Sequence, residues 1–143
     1  MSEYNKNLVR RFYEEVENQG KLEVADELID PNFRDVYNSA SPFPVAGIDG
    51  IKKLAVGLKN AMDLHLVMED LIAEGDLVVA RMTSHTTHKS EFMGVAPTGK
   101  HIDSQLVEIW RVVNGKLAER WVFVDMMPML RGLGVLPPPA PRP

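Results

Sequence analysis

Apolar positions recur along this chain with two different periods. From Ser2 to about Gln19, Leu8, Val9, Phe12, Tyr13 and Val16 fall on one face at helical spacing, which predicts a first helix. Ser2 is its N-cap candidate and Gly20 its C′ residue. Glu14, Glu15 and Glu17 lie off that stripe and read as a solvated face. Leu22, Ala25, Leu28 and Ile29 predict a short second helix ended by Pro31. Phe33 to Asn38 reads as a short strand or a loop. Ser39-Ala-Ser-Pro-Phe-Pro reads as a turn-rich connection, because Pro42 and Pro44 cannot donate to a ladder. A third helix begins near Ile48, with Ile51, Leu54, Ala55, Leu58 and Met62 on its stripe.

After Met62 the period shortens. His65 to Ala73, Leu77 to His88, His101 to Val112 and Lys116 to Val124 read as strands. Glu74-Gly75-Asp76 reads as a hairpin turn, Gly94 to Lys100 as a loop, and Asn114-Gly115 as the strongest hairpin signal in the chain. Helices followed by an antiparallel meander predict an α+β domain with helices on one face of a curved sheet. Residues 137–143, mostly proline, carry no periodicity and read as an extended tail on a domain of residues 1–136.

Composition narrows the chemistry. The chain has 143 residues, 16 basic and 20 acidic side chains, a net charge of −4 and no cysteine. A chain of about 150 residues buries roughly 68–70% of its unfolded surface, enough for one domain with its own core. Without cysteine there is no disulfide, no thiolate nucleophile and no thiolate zinc site. Mild acidity argues against a nucleic-acid partner. No apolar run approaches the ~20 residues of a membrane span, and the N-terminus lacks the apolar centre of a signal peptide. A soluble, cytoplasmic protein is the expectation.

Nucleotide-binding, nucleophile-elbow and zinc-protease motifs are absent. His85 and His88 are three apart, on opposite faces of a strand, which does not make a two-histidine metal clamp. Neither metal nor cofactor is expected. Met62 belongs to a helical core stripe. Met126, Met127 and Met129 follow the last strand, where they fill core or line the mouth of a cavity.

Several segments taken together carry a resemblance. They are Asn7-Leu-Val-Arg-Arg-Phe-Tyr-Glu-Glu-Val, Asn18-Gln-Gly, Ala25-Asp-Glu-Leu-Ile-Asp-Pro-Asn-Phe and Glu69-Asp-Leu-Ile-Ala-Glu-Gly-Asp-Leu-Val-Val-Ala-Arg. Thr87-His88, Glu91-Phe-Met-Gly-Val-Ala-Pro-Thr-Gly-Lys, Arg111-Val-Val-Asn-Gly-Lys-Leu-Ala-Glu-Arg-Trp, Asp125 and Leu133-Gly continue the set. From about Asn7 to Gly134 the chain resembles the SnoaL-like polyketide cyclases of the nuclear transport factor 2 superfamily. The resemblance implies a cone-shaped half-barrel, with a curved antiparallel sheet and N-terminal helices around one deep pocket. It also implies a homodimer through the outer face of the sheet, and aldol ring closure without metal or cofactor. The cyclases place an acid/base Asp on the last strand, two residues after a basic residue.

This chain departs there. Glu119-Arg120-Trp121-Val122 puts Val122 at the Asp position, and Leu106 and Glu108 stand where family members offer other polar pocket residues. A three-residue loop at Val113-Asn114-Gly115 with a G1 bulge places Glu108 opposite Arg120; a two-residue turn places it opposite Trp121. The bulged form is favoured, because a buried Glu without a partner is costly. The inward face then reads Ser104, Leu106, Glu108 and Trp110, followed by Ala118, Arg120, Val122 and Val124, with Trp121 and Phe123 outside. Glu108 and Arg120 become the catalytic candidates: a displaced base and a carbonyl-polarising cation. The alternatives are an apolar pocket that folds a hydrophobic substrate for pericyclic closure, and an inert ion pair. Tyr37, Asn38, His65, Met82, His88, Asp103 and Met126 complete the candidate contributors. The expectation is a cyclase for a hydrophobic, polyketide-like small molecule; the rivals are an isomerase or hydrolase and a non-catalytic binder.

Overall fold

The computed structural model describes residues 2–41 and 45–141. The prolines at 42 and 44 lie outside them. The first amphipathic stripe forms α1 (Ser2–Arg11), which continues as a π-helical stretch over Phe12–Asn18. There Gln19 N–H donates to Glu14 O, five residues back. Gly20, at φ 71°, ends the turn. The short α2 (Glu23–Leu28) stops before Pro31, and strand β1 takes over at once, from Ile29 to Asn38. The segment read as strand or loop is thus a full strand containing Pro31, which an edge position tolerates. The remaining elements are α3 (Gly47–Met62), β2 (His65–Glu74), β3 (Leu77–Thr87), β4 (His101–Val113), β5 (Lys116–Val124) and a short α4 (Met127–Gly132).

The five strands form one sheet in the order β1-β5-β4-β3-β2. The meander β2 to β5 is antiparallel as expected, but β1 pairs with β5 in parallel, which corrects a wholly antiparallel sheet. The helices cover one face. Phe12, Tyr13 and Val16 pack there on Trp110, Phe33 and Leu117, and Trp110 meets Phe12 edge-on at 5.0 Å. A second apolar cluster joins Met62 of α3 to Met129 and Leu133 at the C-terminal end. Pro137 to Pro141 form neither helix nor strand and are exposed.

The β4–β5 hairpin has neither register considered from the sequence. Asn114 and Gly115, at φ 50° and 76°, make a two-residue turn, with Val113 paired to Lys116. One pair further along, β5 carries an extra residue, Ala118, between Leu117 (opposite Val112) and Glu119 (opposite Arg111). An inserted residue reverses which face every later side chain occupies. Arg120, Val122 and Val124 thereby turn inward, Glu108 stands directly across from Val122, and Arg120 across from Trp110.

Candidate active site

Between α3, the inner face of the sheet and the C-terminal segment lies a cavity of about 270 Å³. Leu54, Leu58 and Met62 of α3 wall it on one side; Leu66, Ser84, Thr86, Leu106, Val122 and Val124 on the other. Leu64, Phe92, Met93, Met126 and Met129 add to its apolar lining, and Asn38, Ala40 and Ser41 border it. Among the described residues its charged lining consists of Glu17, Glu108 and Arg120.

Arg120 organises this polar end. The residue is 2% exposed, and its guanidinium holds Asp35 of β1 bidentately, at 3.2 Å and 3.3 Å, and Glu108 of β4 at 3.5 Å. The same group lies 5.4 Å from the Trp110 ring centre and 5.9 Å from that of Phe33. Burial alone would lower its proton affinity; Glu108 and Asp35 overcome that and raise it, so Arg120 stays cationic. Among the described residues three of its five N–H groups are engaged, which leaves two donors for a further acceptor.

Glu17 stands beside this group without belonging to the ion pair. It is buried, and its Oε2 finds no hydrogen-bond partner among the described residues. Burial, and then the charge of Glu108, push its carboxyl up to about 7, against a weaker pull from Arg120. Burial also raises Glu108, with Arg120 opposing. The Tyr13 phenol is held well above its usual range by burial and by Glu108, and accepts a 2.6 Å hydrogen bond from Trp110 Nε1. Two carboxyls thus hold one buried guanidinium, and Glu17, the unpaired third, keeps its proton up to neutral pH.

Of the residues anticipated for the site, Asn38, Leu106, Glu108, Arg120, Val122, Val124 and Met126 meet at the cavity. Trp110 and Met82 are fully buried in the core behind it. Ser104 faces inward, its carbonyl accepting from Ser84, but stays off the lining. His88 is fully buried with Nδ1 bonded to Thr98, where it pins the loop before β4. Tyr37 and His65 require correction: Tyr37 is 49% exposed against Phe123 on the outer face, and His65 is exposed on β2. Glu17 corrects the solvated-face reading, and Asp35 joins the site without being among its candidates from the sequence. On an unbroken α-helical period Glu17 stands about 140° from Phe12. The wider π-helical turn brings Phe12, Tyr13, Val16 and Glu17 onto one buried face.

The family profile of SnoaL-like polyketide cyclases matches residues 7–133. The chain belongs to this family. No curated protein matches its sequence. Among solved structures, AclR from Streptomyces galilaeus, provisionally described as a hydroxylase, is 33% identical with a TM-score of 0.84, over 98% of this chain and 87% of its own. IdmH from Streptomyces antibioticus, provisionally described as a polyketide cyclase, is 29% identical with a TM-score of 0.78, over 91% and 98%. TsrD from Streptomyces laurentii is 26% identical with a TM-score of 0.81, over 93% and 96%. This cyclase-family chain thus has the α+β fold of these neighbours, and among its described residues no helix is long and apolar enough to cross a membrane.

Proposed function

We propose that the protein closes a ring in a hydrophobic, polyketide-like substrate by aldol-type proton transfer, without cofactor, inside the α3-covered cavity. The observation that carries this reading is the buried Glu17 carboxyl, with a free oxygen and a proton affinity near neutral, beside Glu108 and Arg120 in an otherwise apolar lining. A proton-transfer group works best when its pKa lies near the working pH. Glu17 and Glu108 act as one coupled pair, in which contact with Arg120 favours the charge on Glu108.

The two free donors of Arg120 polarise a substrate carbonyl. The carboxylate of the pair takes an α-proton, and the resulting enolate attacks a second carbonyl to form the carbon–carbon bond. The carboxyl returns the proton to the new alkoxide. Glu108 stands directly across from Val122, so an acid lies one strand away from where the cyclases carry their Asp. The apolar walls hold the chain folded, and such positioning removes several kcal/mol of a barrier. The reading includes a homodimer through the outer strip Leu77, Ile109, Trp121 and Phe123, which with Arg111 forms a shallow groove.

A hydrophobic acyclic β-diketone in heavy water tests the proton-transfer step. Wild type is expected to accelerate deuterium exchange at the activated carbon, and Glu17→Gln to slow it about a hundredfold or more while binding persists. Exchange unchanged in both Glu17→Gln and Glu108→Gln defeats the reading and favours closure by conformational templating alone.

A further inference from the structure

The sheet face turned away from the cavity carries a second cluster that ring closure does not use. β3 and β4 pair so that His85 stands directly opposite Asp103. His101, two positions earlier on β4, points to the same side by strand alternation. Asp103 Oδ1 lies 2.8 Å from His85 Nδ1 and 2.8 Å from His101 Nε2. The two imidazole rings stack 6.1 Å apart at 17°. Two ring nitrogens and a carboxylate oxygen therefore converge, all within 4.8 Å of one another. His65 on β2 is the cross-strand partner of His85, so three of the chain's four histidines occupy one patch.

We propose that His85, His101 and Asp103 form a binding site for a divalent transition ion of the zinc type, with water or His65 completing the shell. Two imidazoles and one carboxylate suit zinc, nickel, cobalt or copper, whereas magnesium and calcium take oxygen-only shells. Zinc bonds such atoms at about 2.0–2.2 Å, and donors already gathered around one oxygen need only side-chain rotations to open around it. All three ligands are partly exposed, so an ion reaches them from solvent. They stand on paired strands and not on a loop, which fixes their spacing. Ser84 and Thr86, on the alternate face of β3, line the cavity, so an ion that ties β3 to β4 stiffens that wall from behind.

The test is calorimetric titration of the full chain with zinc chloride and with nickel chloride, with magnesium chloride as control. One zinc or nickel ion per chain, no response to magnesium, and a zinc-dependent rise in the melting temperature are expected. His101→Ala and Asp103→Asn each weaken zinc binding about tenfold or more, while Asp70→Asn, on the same face outside the cluster, does not. Circular dichroism of the metal-free variants confirms that these surface changes leave the fold intact. Absent zinc binding, or binding that His101→Ala and Asp103→Asn leave unchanged, overturns the site and reduces the cluster to a hydrogen-bonded surface group. Neither outcome bears on ring closure, because no ligand of this site lines the cavity.

Discussion

Arg111 and Arg120 stand on neighbouring strands, each between two carboxylates and each against a tryptophan, but on opposite faces of the sheet. Arg111 bonds Asp76 at 2.7 Å and Glu119 at 3.0 Å, with its charge 5.8 Å from the Trp121 ring centre. Arg120 bonds Asp35 and Glu108 at longer distances, against Trp110. The shorter bonds are the weaker stabilisers. Water screens the Arg111 group and would solvate each member separately, whereas the Arg120 group has no such alternative. What distinguishes the two is access to water, and the extra residue at Ala118 is what turns Arg120 inward while strand alternation keeps Arg111 outside.

The largest expected effect breaks the dry pair. Arg120→Leu leaves Asp35 and Glu108 buried without their cation and costs about 3–5 kcal/mol in denaturant unfolding. Adding Asp35→Asn and Glu108→Gln to that variant recovers part of the loss, because no uncompensated charge then remains. The second effect concerns turnover. Glu17→Gln lowers the rate of ring closure by about 10²- to 10⁴-fold in single-turnover kinetics, with substrate affinity little changed.

The third effect is a dependence on pH. Glu17 titrates near its ordinary value of 4.5 in the unfolded chain and at about 7 in the folded one. Below that window both states hold the proton, and within it only the folded state does. Stability therefore falls as pH rises from about 4.5 to about 7 and levels off above, by on the order of 3 kcal/mol in total. Urea unfolding of wild type across this range measures the slope, and Glu17→Gln removes its contribution. The smallest effect completes the comparison. Arg111→Leu costs at most about 1 kcal/mol in the same unfolding measurement, and less at high salt.

Element periods were legible along most of the chain, because amphipathic helices and alternating strands write their burial into the sequence. The meander, α3 and the Asn114-Gly115 turn follow that rule. β1 did not, because Pro31 and the mixed polarity of an edge strand obscure its alternation. Its parallel pairing with β5 depends on contacts far apart in sequence. At the site, the shared inward face of Glu108 and Arg120 was readable from charge burial, although the bulge lies at Ala118 instead of in the turn. Glu17 was not readable, since a π-helical turn leaves no mark in a period counted at 3.6 residues. Asp35 needed the β1 register. The His85–Asp103–His101 cluster likewise needed the pairing of β3 with β4, because the sequence separation of His85 and His88 pointed elsewhere.

The parallel seam between β1 and β5 also implies an order in which the molecule assembles. Asp35 and Arg120 are 85 residues apart in the chain. The hairpins β2–β3 and β4–β5 close through short turns, whereas closing the seam costs the entropy of a long loop and comes late. Until it does, Arg120 has Glu108 but not its principal partner, and a chain whose meander is complete still lacks its charged site. Refolding should therefore complete the Asp35–Arg120 pair in a slower phase than β-sheet signal, with the difference set by the docking of a single edge strand.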